Sequence, residues 1–118
     1  MPKPGTVFQL RLDGGNHFWV VISEPRNEKI LAVNVTDAKN SPDSPCRLDH
    51  RDHPEITKPS AIFYRKSREF DAAMVDAQIA DGRVVRKLAD CSPELLQRII
   101  DGARAADDFT IRLLDYLR

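Results

Sequence analysis

The segment from residue 46 to residue 56 concentrates side chains that transfer protons or bind phosphate. It reads Cys46-Arg47-Leu48-Asp49-His50-Arg51-Asp52-His53-Pro54-Glu55-Ile56 and holds two of the three histidines of the chain, three carboxylates and two arginines. The ordinary pKa of histidine lies between pH 5 and 8, so a pair of histidines can act as acid and base. Titratable groups crowded into a loop are typical of a functional site. A solvated turn whose charges pair with one another is the alternative.

His53 is the residue of this segment that best fits a catalytic role. Pro54 follows it and restricts its backbone to extended geometry, which limits where the imidazole projects. A carboxylate from Asp49 or Asp52 can orient an imidazole and keep it cationic, as in hydrolytic triads. We therefore predict that His53 and Asp52 are catalytic residues.

Zinc binding is a second interpretation of the same segment. Cys46, His50 and His53 are zinc-binding residue types at the spacing Cys-x3-His-x2-His. However, the sequence has no second ligand pair at a recognised spacing, and Cys91 is remote, so we predict no resident metal. A glycine-rich phosphate loop, a serine elbow and a dinucleotide fingerprint are also missing, and no cofactor is expected.

Length and charge limit the class of protein. A chain of 118 residues is expected to form a single domain over residues 1–118. Its 18 basic and 18 acidic residues balance, which argues against a protein that coats DNA but allows an enzyme that binds a few phosphates. Two cysteines make no disulfide framework. With no signal peptide and no apolar run of membrane-spanning length, we expect a cytoplasmic protein without membrane contact.

The first half of the chain has the alternation and β-branched content of strands. We predict three strands in an antiparallel meander, with a turn at Asp13-Gly14-Gly15-Asn16 between the first two, then a long polar excursion and a returning strand. The three strands of the meander are residues 7–12, 17–23 and 29–36. The polar excursion is residues 37–59, with a short strand at 46–48, and the returning strand is residues 60–66.

The second half has helical periodicity. We predict helices over residues 71–81, 92–105 and 108–117, with a short strand at 84–88. Gly82 is expected to end the first helix, and Ser92 with Pro93 to begin the second. Leu96 and Ile99 should be buried against the sheet, and Ile111, Leu114 and Leu117 should form one apolar face of the last helix. Strands followed by helices give an α+β fold with a strongly bent sheet.

Three strand motifs resemble those of the MazF/PemK toxin family. Members typically open with Gly-Asp-Ile/Val-aromatic, continue with Arg-Pro-Ala-Val-Val-Leu-Ser and reach Val-x-Pro-Ile/Val-Thr. The counterparts are Gly5-Thr6-Val7-Phe8, then His17-Phe18-Trp19-Val20-Val21-Ile22-Ser23, then Ala32-Val33-Asn34-Val35-Thr36. The resemblance covers about residues 4–70. It implies an SH3-like antiparallel barrel over those residues, with a helical part over about 71–118.

The resemblance also implies a function. It predicts the toxin of a type II toxin–antitoxin system, a homodimer bound by a cognate antitoxin, that cleaves single-stranded RNA without a metal. The family's catalytic threonine corresponds to Thr36, and its catalytic arginine is replaced here by His17. Both are predicted to be catalytic residues, with His17 as a general base or a phosphate contact. Other predicted RNA contacts are His50, Arg51, Tyr64, Arg65 and Lys66, with Trp19 in the core. A non-catalytic barrel that binds a protein or nucleic-acid partner is the alternative.

Overall fold

A single antiparallel sheet of six strands dominates the structure. The computed structural model describes residues 2–12 and 15–118, so part of the turn predicted at Asp13–Asn16 lies outside the described residues. The strands are β1 (Val7–Leu12), β2 (Gly15–Val21), β3 (Lys29–Asp37), β4 (Arg47–Leu48), β5 (Ser60–Asp71) and β6 (Val85–Leu88). Their order in the sheet is β4-β5-β3-β2-β1-β6. The sheet curls strongly into half a barrel, which confirms the predicted α+β class.

Two α-helices and two 3-10 helices complete the fold. They are α1 (Ala72–Asp81) and α2 (Pro93–Ala105), with 3-10 helices at Ala38–Asn40 and Ile111–Leu117. The predicted caps are confirmed: the Ser92 hydroxyl accepts a hydrogen bond from the Leu95 N–H, and Gly82 ends α1 with a φ of 76°. Among the described residues, no helix has the length and apolar character needed to cross a membrane.

Each face of the sheet has its own hydrophobic core. The inner face, which we define as the face against α2, buries Val7, Val20, Val33, Ile62 and Tyr64 together with Leu95 and Ile99 of that helix. The outer face buries Phe8, Leu10, Trp19, Val21 and Ala32, and α1 covers part of it through Ala72 and Val75. Trp19 is 5% exposed, which confirms its predicted place in the core.

A large bulge interrupts β5. Ala32 pairs with Arg68 and Asn34 pairs with Phe63, so four residues of β5 lie opposite Val33 alone. Such a bulge bends a strand and changes the direction of the side chains that it carries. Arg65 and Lys66 lie in it and are exposed.

Two predictions for the C-terminal part are wrong in detail. Leu96 is only partly buried, because the face of α2 that turns fully toward the inner face consists of Leu95, Ile99, Gly102 and Ala103. The last helix is a 3-10 helix that buries Leu113, while Ile111 is 82% exposed. A 3-10 helix has 3.0 residues per turn rather than 3.6, so the residues that share a face differ from those of an α-helix.

The C-terminal 3-10 helix is held to β5 by a cluster of polar contacts. The Tyr116 hydroxyl donates to Glu69 at 2.6 Å, and the Arg112 guanidinium binds the same carboxylate at 2.5 Å. These contacts lower the pKa of Glu69, and burial together with the hydrogen bond to Glu69 raises the pKa of Tyr116 to about 12. A carboxyl whose folded pKa is lowered stabilises the fold above its unfolded pKa and loses that contribution as the solution is acidified.

Tyr64 fixes how closely α2 approaches the inner face. Its hydroxyl donates to the Ile99 carbonyl at 2.7 Å, and burial raises its pKa. A Cβ at Gly102 would lie 3.0 Å from Tyr64 Cζ and closer still to its hydroxyl oxygen. The glycine therefore makes room for the tyrosine ring between sheet and helix.

We expect Gly102→Ala to lower the free energy of unfolding by about 1–3 kcal/mol, because the new methyl group would overpack a well-filled site. Urea unfolding followed by circular dichroism measures the change. Gln97→Ala, at an exposed position of the same helix, should stay within about 0.5 kcal/mol. Tyr64→Phe removes the nearest atom and should make Gly102→Ala less costly. Equal costs in the two backgrounds would contradict this account.

Candidate functional site

His17 and Thr36 lie on the outer face, at the adjoining ends of β2 and β3. His17 pairs with Leu10 of β1, which places its side chain on the same face as that buried leucine. The ladder between β2 and β3 ends at Phe18 and Val35, and continuing its register by one residue places His17 opposite Thr36. His17 is exposed and Thr36 half-buried, so a ligand on this face can contact both.

A hydrogen bond orients the Thr36 hydroxyl. The Asn40 side-chain amide donates to Thr36 Oγ1 at 3.1 Å. A hydroxyl that accepts a bond still has its own proton to donate. The structure therefore leaves Thr36 able to donate a hydrogen bond, for example to a phosphoryl oxygen.

The outer face around this pair is basic and aromatic. The Arg68 guanidinium lies 4.9 Å from the ring of Phe70 and 5.9 Å from that of Trp19, and the Lys66 ammonium lies 5.5 Å from the ring of Phe63. Lys66 takes part in none of the ion pairs found among residues 2–12 and 15–118. Cations beside aromatic rings are the combination that binds single-stranded nucleic acid.

The segment after β4 is a self-paired turn held by α2. The Asp52 carboxylate accepts from the Asp49 N–H at 2.9 Å and from Arg98 of α2 at 2.7 Å. Arg98 also donates to the Arg47 carbonyl at 2.8 Å. Arg51 donates to Asp49 through its side chain and its backbone, and these hydrogen bonds lower the pKa of Asp49 to about 2. The carboxylates of this segment are thus bound to arginines and backbone rather than to an imidazole.

His53 is buried under the inner face, away from His17 and Thr36. It is 6% exposed and lines a small apolar cavity of about 20 Å³ with Phe18, Val35 and Leu95 among others. Its Nε2 lies 2.7 Å from the Ala89 carbonyl, and its Nδ1 accepts from the Glu55 N–H at 3.1 Å. These partners assign the proton to Nε2. Both ring nitrogens are therefore engaged with backbone.

His53→Ala should lower the free energy of unfolding by about 1–3 kcal/mol, because truncation removes a buried ring and leaves the Ala89 carbonyl and the Glu55 N–H without that partner. Chemical denaturation measures this cost, and His50→Ala is the control because His50 is exposed. If the chain cleaves RNA, as the resemblance described above predicts, cleavage per folded molecule should be unchanged. Loss of cleavage at unchanged stability would instead support the catalytic role predicted from the sequence.

The residues of the zinc interpretation do not come together. Cys46 is packed in the inner core beside Gly102, where burial raises the pKa of its thiol, while His50 is exposed and His53 is bonded to Ala89. Across residues 2–12 and 15–118, no three His, Cys, Asp or Glu side chains are grouped so as to hold a metal ion.

The predicted RNA contacts fall into three groups. Arg65 and Lys66 are exposed in the β5 bulge, near the His17–Thr36 pair in the sheet. His50 and Arg51 are exposed in the turn after β4, where Arg51 is paired with Asp49. Tyr64 is 1% exposed, so its ring has no free face on which a base could stack.

Sequence reasoning missed Asn40 and Phe63. Asn40 belongs to the 3-10 helix that follows β3. Its position four residues after Thr36 was the sequence signal that could have indicated its hydrogen bond to the Thr36 hydroxyl. Phe63 was assigned only to a strand. It pairs with Asn34 on the outer face and is half-buried, so part of its ring is accessible.

Comparison with known proteins extends the fold assignment. No protein-family model and no curated protein matches the chain. One of the solved structures that match is described as an endoribonuclease in complex with its cognate antitoxin from a mycobacterial species, with a TM-score of 0.59. The two sequences are 14% identical, over 92% of this chain and 95% of the other. This likeness shows a shared fold.

Proposed function

We propose that this protein is the toxin of a toxin–antitoxin pair and an endoribonuclease that cleaves single-stranded RNA on the outer face of its sheet. The observation that carries the proposal is the juxtaposition of an exposed His17 with a Thr36 hydroxyl oriented by Asn40. The structural neighbour, an endoribonuclease in complex with its cognate antitoxin, supports the same activity. The resemblance to MazF/PemK strand motifs is consistent with it.

The two side chains supply the chemistry of phosphodiester transfer. His17 accepts the proton of the RNA 2′-hydroxyl, and the 2′-oxygen forms a bond to the adjacent phosphorus while the bond to the 5′-oxygen breaks. Thr36 donates a hydrogen bond to a phosphoryl oxygen as negative charge develops there. The site is open to water, which protonates the leaving 5′-oxygen. The products are a 2′,3′-cyclic phosphate and a 5′-hydroxyl.

The outer face also fits the substrate and partners that the proposal needs. Lys66 binds a phosphate beside the cut, Arg65 contacts the adjoining nucleotide, and the accessible part of Phe63 offers a surface for its base. The cognate antitoxin covers this basic face and blocks RNA, and the active form is a homodimer.

Cleavage of a long mixed-sequence RNA in the presence of EDTA tests the proposal. We expect cuts that persist in chelator and leave cyclic phosphate ends, together with growth arrest when the protein is expressed without its antitoxin. Loss of activity in EDTA would overturn the metal-free mechanism. If no RNA is cleaved and a tight protein partner is found, the protein is the non-catalytic binding module instead.

A further inference from the structure

A cleft of about 400 Å³ lies at the edge of the sheet where β5 extends beyond the two-residue strand β4. One side consists of the loop that precedes β4, and the other is the chain that follows α2. The charged and aromatic residues along it are Asp43, Phe63, Arg65, Asp107 and Asp108, and Asn40 and Ser44 are among its polar residues. Its volume is within the range of small-molecule sites.

The cleft adjoins the His17–Thr36 pair. Asn40 lines it and also donates to Thr36 Oγ1 at 3.1 Å. Phe63 is diagonal to Thr36 across the β3–β5 ladder, because Thr36 pairs with Ala61 and Asn34 with Phe63. Diagonal neighbours are about 7–8 Å apart. A nucleotide whose phosphate contacts Thr36 can therefore place its base in the cleft.

The charges of the cleft differ from those of the surface beside it. Asp43, Asp107 and Asp108 line the cleft and are exposed, and none of them belongs to an ion pair found within the described chain. Carboxylates repel phosphate, so this part of the groove does not bind the RNA backbone. Arg65 on the same cleft disfavours a cationic ligand. The occupant must therefore offer hydrogen-bond donors to the aspartates and acceptors to the arginine.

We propose that this cleft binds a guanine base next to the scissile phosphate. Guanine has N–H donors on its Watson–Crick edge, which a carboxylate can accept as a pair, and O6 and N7 acceptors, which arginine binds bidentately. Its ring stacks on Phe63. Adenine and uracil lack this combination of donors and acceptors. The proposal rests on the proposed ribonuclease function and adds a specificity site to it.

Mapping of cut sites in a mixed-sequence RNA tests the inference. We expect guanine at one fixed position beside the cut, and an oligonucleotide with inosine there, which lacks the N2 donor, should be cleaved roughly 5- to 150-fold more slowly. Asp107→Asn and Asp108→Asn are made singly, and at least one should lose most of this discrimination, so that it cleaves the guanosine and inosine substrates at similar, lowered rates. Glu94→Gln, which removes an exposed negative charge at the other end of α2, is the matched control.

Binding of mononucleotides separates this inference from the proposed function. Guanosine 5′-monophosphate should shift NMR signals of Phe63 and Arg65, and adenosine and inosine monophosphates should bind more weakly. If RNA is cleaved without guanine preference, the specificity site is wrong and the ribonuclease proposal stands. If no RNA is cleaved but guanosine monophosphate binds selectively, the site stands without the catalysis. Displacement by argininamide, with no guanine selectivity, would assign the cleft to a basic segment of a protein partner and overturn the inference.

Discussion

Replacement of His17 by alanine is expected to lower the rate of RNA cleavage about 10²–10⁴-fold, the usual contribution of a positioned acid or base. His17 is exposed on the outer face, and no packing of the core depends on its ring. The thermal unfolding midpoint should therefore stay unchanged. Single-turnover cleavage of a defined oligonucleotide, with protein in excess, measures the chemical step free of product release.

Two further variants test whether the loss of cleavage depends specifically on His17 and Thr36. Thr36→Val keeps the shape and β-branching of the side chain but removes the hydroxyl, and we expect a loss of about 10²-fold from one oxyanion donor. His50→Ala removes another exposed histidine and should leave cleavage unchanged, because His50 lies in the turn after β4. Full activity of His17→Ala would exclude the proposed base, and equal losses for His17→Ala and His50→Ala would indicate a general effect of charge.

The fold was predictable because its signals are local. Alternation along β1 and aromatic, β-branched residues in β2 predict strands whatever lies beside them. Ser92, Pro93 and Gly82 mark helix ends through hydrogen bonds that span only a few residues. The bulge of β5 was not predictable in the same way. It depends on pairing with β3, and the sequence from Tyr64 to Ser67 contains no glycine or proline to signal it.

The site was harder to predict because proximity in sequence is a poor guide to contact. His53 and Asp52 look like a catalytic pair within one segment, yet their partners are Ala89 and Arg98, more than thirty residues away. Those partners place them under the inner face. The strand period gave a better signal, since His17 is two residues from the buried Trp19 and so shares its face. The cleft combines residues from three distant segments, and no local pattern could show it.

The largest effect on stability is expected at Ile99, in the middle of α2. Its side chain is 0% exposed and packs in the inner core, and its backbone carbonyl accepts the hydrogen bond from the Tyr64 hydroxyl. Ile99→Ala removes buried methyl groups and leaves a cavity that the close-packed sheet cannot fill. We expect a loss of about 2–5 kcal/mol in the free energy of unfolding. Urea denaturation monitored by tryptophan fluorescence measures it.

Leu96→Ala provides the comparison, because the sequence predicted burial of Leu96 and the structure leaves it half-buried. A half-buried leucine loses less apolar contact, so its truncation should cost clearly less than that of Ile99. Equal costs would mean that Leu96 is covered in solution, most simply by the second copy in a homodimer. RNA cleavage by the folded fraction should be preserved in both variants, because α2 packs on the face opposite His17 and Thr36. A loss of stability without a loss of RNA cleavage would therefore support the placement of the core under α2 on one face of the sheet and of His17 and Thr36 on the other.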